Sequence, residues 1–199
     1  MAVDAKKVYV GTPDQLTTGA ILQAPLGTTV PDLQDITPSK VTLDEGFKDC
    51  GYVSEDGVTI TPDYSTSDIP SWGGAVVRRI LEQFVGEISF TIIQTDEAGL
   101  KMVFGDAYVT ASAATSDHGN QLKAAIGAHL PDQKTWVFKM KDGKARMLIV
   151  VPIGQVTALD EITFNNTDPV GYAVTLTTSP DANGENIYIL TDDGEVVSA

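Results

Sequence analysis

The chain is 199 residues long, enough for one sizeable core, and its composition of 42% hydrophobic and 20% charged residues fits a globular protein rather than a disordered one. Its 13 Lys and Arg face 27 Asp and Glu, a net charge of −14. That balance disfavours stable binding to DNA or to an anionic membrane, which needs cations to displace phosphate counterions, but it does not disfavour repulsion of DNA.

Along the chain, Met1–Lys7 leads into no sustained apolar run, so no signal peptide is expected. Lys6-Lys7 and Arg78-Arg79 are the longest basic runs. Residues 11–40, rich in Gly, Thr and Pro, are expected to form an arm or long loop. Cys50 is the single cysteine; it allows no disulfide within the chain and reads as a small buried hydrophobe, at ease in a reducing cytoplasm. Residues 54–75 carry only short apolar pieces together with Tyr64 and Trp72, and are expected as a second long loop. Loops of that length in a compact domain are usually functional or ordered by a partner. The segment Val76–Phe84 is ambiguous. Val76, Val77, Ile80, Leu81 and Phe84 fall at helical spacing, while the β-branched content favours a strand.

Glu87–Gln94 alternates with period two, placing Ile88, Phe90 and Ile92 on one face and Glu87, Ser89 and Thr91 on the other. Thr95 is positioned to cap a helix over Asp96–Phe104, with Leu100, Val103 and Phe104 on a common face and Gly105 at the stop. A second helix is predicted over Asn120–His129, closed by Pro131. Trp136–Met140 and Ala145–Val151 flank Lys141-Asp142-Gly143-Lys144, whose Asp-Gly pair suits a two-residue hairpin turn. Ile162–Phe164, Gly171–Thr177 and Asn186–Leu190 read as further strands, with Asn183-Gly184 turning between the last two. The longest uncharged apolar run, Met147–Ile153, is far short of the ~20 residues of a membrane helix.

The chain offers little to catalysis. Ser116-Asp117-His118 sets three triad residue types side by side, but consecutive residues do not converge on one point, and a solvated turn is the better reading. His129 reads as a surface or partly buried side chain. One Cys and two His cannot build the usual zinc site without carboxylates. The acidic pairs Asp44-Glu45, Glu55-Asp56, Asp160-Glu161 and Asp192-Asp193 are adjacent, so on strands they point to opposite faces rather than forming an acid/base pair. Asp181–Gly184 reads as a turn rather than a cation loop, neither Gly73-Gly74 nor Gly143-Lys144 has the spacing of a phosphate-cradling loop, and Asn165-Asn166-Thr167 is a chance glycosylation match.

Several landmarks occur together in order. They are Ala24-Pro25-Leu26-Gly27-Thr28, Gly51–Val58, Ser71-Trp72-Gly73-Gly74, the strand through Phe90 into a helix ending Phe104-Gly105, Trp136–Pro152, and Gly154-Gln155-Val156. Over about residues 1–178 this order resembles the tail tube (major tail) protein family of long, non-contractile-tailed bacteriophages, or siphophages. The resemblance implies a mainly β subunit, a β-sandwich or half-barrel with one flanking α-helix, forming a single domain over residues 1–199. It also implies hexameric rings that self-assemble into a stacked, hollow tube and serve genome ejection. Residues 54–75 match the family's inter-ring loop, 11–40 are the candidate arm, and 179–199 form a C-terminal extension of unassigned role.

The partners so implied are copies of the chain itself and other tail proteins such as the tape measure and terminator. Viral DNA passes through the lumen without stable binding; no cofactor, metal, membrane or enzymatic activity is expected. The location implied is the virion tail, after assembly in the host cytoplasm. Tyr64, Trp72, Gly73 and Gly74 are the candidate inter-ring contacts, because aromatics dominate interface energetics; the alternative is that the two aromatics cap the subunit's own core. Six copies at −14 carry 84 net negative charges per ring, and any share lining a narrow bore is felt by DNA within a screening length of ~8–10 Å. Two other classes share parts of this plan: the tube protein of a bacterial secretion or contractile-injection system, which usually lacks the long loop, and a virion decoration or baseplate β-domain.

Overall fold

The computed structural model describes residues 7–14 and 19–197. Its strands are β1 (Ile21–Pro25), β2 (Lys48–Asp49), β3 (Val53–Pro70), β4 (Val76–Ile92), β5 (Val109–Ser112), β6 (Gln121–Ala124), β7 (Lys134–Asp142), β8 (Ala145–Leu159), β9 (Tyr172–Ser179) and β10 (Tyr188–Asp192). Among the described residues a single α-helix, α1 (Glu97–Phe104), follows β4, beside two one-turn 3-10 helices at Leu33–Asp35 and Asp106–Tyr108. Antiparallel pairing gives one sheet in the order β2-β1-β7-β8-β9-β4-β3, with β10 also paired to β8, while β5 and β6 form a separate ribbon.

The long strand β8 joins two wings. Its first part, Arg146–Val150, pairs with β10, and its second part, Ile153–Leu159, pairs with β9. Pro152 lies between them, where the β7–β8 register slips, so its missing N–H interrupts no regular ladder bond. The wings curl towards each other. Phe90 on β4 and Phe138 on β7 are three strand spacings apart along the sheet, roughly 14 Å if it were flat, yet their ring centroids are 5.6 Å apart. This curl makes the subunit a half-barrel, and the helix α1 contributes Leu100, Met102, Val103 and Phe104 to its filling.

A second cluster covers the outer face of β1, β7 and the start of β8. There Leu22, Val137, Leu148 and Val150 meet Ile36, Val41, Leu43 and Phe47 from the connection between β1 and β2, with Tyr188 and Leu190 from β10. These three strands are therefore buried on both sides, which is why they read as continuous apolar runs instead of alternating ones. The buried Arg146 reaches an ion pair with Asp14, tying the N-terminal segment to the β7–β8 hairpin.

The ambiguous segment Val76–Phe84 is a strand, as its β-branched content favoured. Elsewhere the structure corrects the sequence reading. Residues 11–40 were expected as an arm or long loop, but Ile21–Pro25 within them is a core strand, and residues 15–18 lie outside the described set. The expected helix over Asn120–His129 is replaced by β6, which satisfies the backbone of β5, whereas a short isolated helix would have gained little. Ile162–Phe164 is not a strand. Asn165 Oδ1 accepts from the backbone N–H groups of Thr167 and Asp168, and this turn chemistry draws the chain away from any ladder.

Two local details shift by one residue. The helix N-cap is Asp96, not Thr95, with Asp96 Oδ1 accepting from Gly99 N at 2.7 Å. The β7–β8 turn is Gly143-Lys144, with φ +60 at Gly143 and Asp142 paired to Ala145, matching a hairpin turn that places Gly first. The last strand, β10, gives part of the 179–199 extension a packing role in the second cluster; residues 198 and 199, like residues 1–6 with the predicted basic Lys6, lie outside the described set.

Candidate functional site

The stretch expected as an irregular loop is the outgoing half of a long β-hairpin. β3 and β4 pair from Val53↔Ile92 to Pro70↔Val76, but β9 accompanies β4 only over Glu87–Ile92. Val76–Gly86 therefore has β3 as its one strand partner, and at ~3.4 Å per residue this arm extends roughly 35 Å past the sheet. Cross-strand pairing of Thr, Ser and β-branched residues supplies ladder bonds without needing a buried face, so sequence too polar for a core strand still forms an exposed strand here.

Two register slips shape the arm. Between Ser65↔Gln83 and Thr66↔Leu81 the β4 strand holds one extra residue, Glu82, and a second slip leaves Val77 unpaired before Pro70↔Val76. The first slip sets Leu81, not Glu82, opposite Thr66, and so on the same face as Tyr64 and Phe84. Tyr64 and Phe84 touch there, with ring centroids 4.9 Å apart. Arg79 Nε meets Asp68 Oδ1 at 2.7 Å, and this hydrogen bond raises the guanidinium pKa above its ordinary value. Val76, Val77, Ile80, Leu81 and Ile69 are all exposed along the arm.

At the tip, Ser71 N donates to Ala75 O and Gly74 N to Ser71 O, with φ +85 at Gly74. A side chain at Gly74 would be strained by that angle, which accounts for one of the two glycines. Trp72 stands on this turn fully exposed. Neither Trp72 nor Tyr64 caps the core, so that alternative is removed. The structure brings all four sequence-chosen residues onto one projecting arm, with Tyr64 near its base, opposite Phe84, and Trp72, Gly73 and Gly74 at its end. Sequence reasoning passed over Leu81, Ile80 and Phe84 as arm residues, because a strand's apolar residues look destined for a core until its neighbours are known.

At the opposite sheet edge, β1 and α1 border a groove of about 460 Å³. Pro25 and Ala98 line it, as do Lys48, Lys101 and Lys134. Gln23 also faces it; this side chain is buried, and its Oε1 has no hydrogen-bond partner. Lys101 Nζ holds Glu97 at 2.6 Å and Lys134 Nζ holds Asp106 at 3.0 Å.

The residues with chemical potential are spent on structure. Thr115 N donates to His118 O, and the N–H groups of Asp117 and His118 point to Thr115 Oγ1, so Ser116–His118 is an exposed turn. The His129 ring stacks on Tyr108 at 3.4 Å. Cys50 is buried, and desolvation, reinforced by the Asp49 charge, pushes its thiol pKa far up, leaving it protonated and inert at neutral pH. Among the described residues no group of three or more His, Cys, Asp or Glu is placed to hold a metal.

The family description "Phage tail tube protein" matches residues 1–199, the whole chain. The chain belongs to the phage tail tube protein family. Its tail tube half-barrel is similar at 13% identity to a chain of the anti-feeding prophage cap, a tube terminating cap, covering 96% of this chain and 100% of that one with a TM-score of 0.45. A chain of the native gene transfer agent virion is similar at 13% identity, covering 76% of this chain and 92% of that one, with a TM-score of 0.38. No curated protein matches it. Membership makes this a structural protein of a phage tail, and no helix among the described residues is long and apolar enough to cross a membrane.

Proposed function

We propose that this tail tube protein closes into six-membered rings which stack into a hollow conduit for the viral genome, with the β3–β4 arm bridging one ring to the next. The observation that carries this reading is the arm itself. An isolated two-stranded hairpin is at best marginally stable in water, and one studded with exposed Tyr64, Leu81, Val77 and Trp72 invites a partner. A head-to-tail ring uses two different faces of each copy and closes at a fixed number of subunits. Among the described residues the outer edge of β3 has no strand partner, and pairing with a neighbouring copy removes that liability.

The acidic balance suits the same reading. A ring of six carries 84 net negative charges, and acids facing the bore repel the phosphate backbone, letting DNA pass without adhering. Assembly in the host cytoplasm, a tape measure protein setting length and a terminator closing the tube complete the proposal. Negative-stain microscopy of the concentrated protein tests it. Hollow tubes with six-fold rings are the expected result, and monomers at every concentration, even with an initiator complex added, overturn it.

A further inference from the structure

We propose that the exposed face shared by β3, β4, β9 and the far half of β8 is the wall that meets DNA in transit, a hydroxyl surface on which Glu87 supplies the one charge. This rests on the tube reading above and names its DNA-facing residues. The strands alternate, sending Ile88, Phe90, Val174 and Leu176 into the core and their neighbours outward. Thr59, Ser89 and Thr175 lie side by side across three strands, and Thr61, Glu87 and Thr177 form the next row. Hydroxyls on this face meet one another, Ser89 Oγ with Thr175 Oγ1 at 3.4 Å and Thr157 Oγ1 with Thr177 Oγ1 at 2.6 Å. A fifth of the chain is charged, and solvent-facing surfaces usually carry more, yet over the rows these strands share Glu87 stands alone. Among the described residues no exposed large hydrophobic side chain lies on those rows either, so the face lacks the apolar core of a protein interface.

Shape and charge both favour DNA as the occupant. The helix α1 and the opposite wing pack behind these strands, on the core side. The wing is open at both sides: among the described residues β3 has no outer strand partner, and β8 has none on its β7 side beyond Gly154. Copies joined through those two edges form a ring, and their bulk fits only on the outer, longer circumference, which turns the hydroxyl face inward. Six copies of four strands, at ~4.8 Å per strand, span a circumference of roughly 115 Å and a backbone diameter of roughly 37 Å. Side chains take about 5 Å on each side, half the spacing of packed sheets, which leaves a bore wide enough for a duplex. The wall offers no Lys or Arg to exchange for phosphate counterions, so nothing holds the passing polyanion. Hydroxyls keep it wetted, and the Glu87 carboxylates of each ring repel phosphate at short range.

Threading DNA through assembled tubes tests the wall. Glu87→Lys reverses the one charge on the face and leaves the core side untouched. At low salt, tubes of this variant should capture short linear duplexes but not covalently closed circles, which have no end to thread, while unaltered tubes capture neither. Six phosphate contacts per ring predict that the capture weakens by about 1,000-fold between roughly 50 and 200 mM salt. Capture of circles as readily as linear duplexes places residue 87 outside the bore and overturns the wall, as does capture of neither. Thr175→Cys gives a second reading with Glu87 in place, because Cys50 is buried and its thiol stays protonated. In tubes a small maleimide should modify Thr175→Cys, while a bulky polyethylene-glycol maleimide, which reacts with the free subunit, should not. Modification by both, or by neither, overturns the wall and leaves the tube reading standing; a chain that forms no tubes at all overturns both.

Discussion

Two substitutions on one strand, Leu81→Ser and Ile88→Ala, should have opposite consequences. Ile88 is fully buried between the wings, where removing a large aliphatic side chain costs about 2–5 kcal/mol, transfer and cavity terms together. In a chain of this size each kcal/mol moves Tm by about 2–4 °C, so a mid-range loss lowers it by roughly 7–14 °C. Leu81, only seven residues away, is 55% exposed on the arm, and its truncation should change subunit stability by no more than about 0.5 kcal/mol. In a docked arm the exposed half of Leu81 is worth about 1 kcal/mol, so Leu81→Ser should raise the critical concentration for tube formation about fivefold per contact. Thermal unfolding by circular dichroism reads the first effect, and light scattering against protein concentration reads the second. A Leu81→Ser subunit that melts as low as Ile88→Ala would mean that the arm packs on its own subunit. Unchanged assembly would remove Leu81 from the interface.

Three further outcomes follow from local geometry. Gly154→Ala places a Cβ 2.9 Å from Trp136 Cδ1 and 3.1 Å from Leu176 Cδ1, both in the core, and should cost about 1–3 kcal/mol in urea unfolding. Asp96→Ala should cost about 1 kcal/mol through loss of the helix cap, while Thr95→Ala should cost clearly less; equal losses would restore Thr95 as the cap. The Tyr188 hydroxyl, 2.7 Å from Asp181 Oδ2, holds that carboxyl below its ordinary pKa, helped by backbone N–H groups of Glu185 and Asn183. A depressed carboxyl contributes stability above its unfolded pKa and loses it as pH falls through the folded one. Tyr188→Phe should thus move the Asp181 titration upward by NMR and make the protein lose stability at a higher pH during acidification.

Some of this was legible residue by residue. Ile88, Phe90 and Ile92 declared their buried face by alternation, and Gly105 and Gly143 marked a helix stop and a hairpin turn by chemistry that acts within a few residues. Trp72 beside two glycines, in a stretch too poor in apolar residues for a core, marked the arm's tip. The failures share a cause. Gln121–Ala124 looked helical because the need of β5 for a partner is invisible in its own residues. Ile162–Phe164 looked like a strand because nothing in three residues tells whether a ladder is open to them.

The sequence alone determined the β class, the site of the helix, the inert cysteine, the acidic surface and the presence of a long polar excursion after Gly51, since each depends on composition or on contacts between near neighbours. Only the tertiary structure decided that the excursion is a paired hairpin, that its bulge turns Leu81 onto the face of Tyr64, and that the unpaired Gln23 oxygen lies at the far edge of the sheet. Strand pairing joins residues distant in the chain, and one slipped register exchanges the faces of every side chain beyond it.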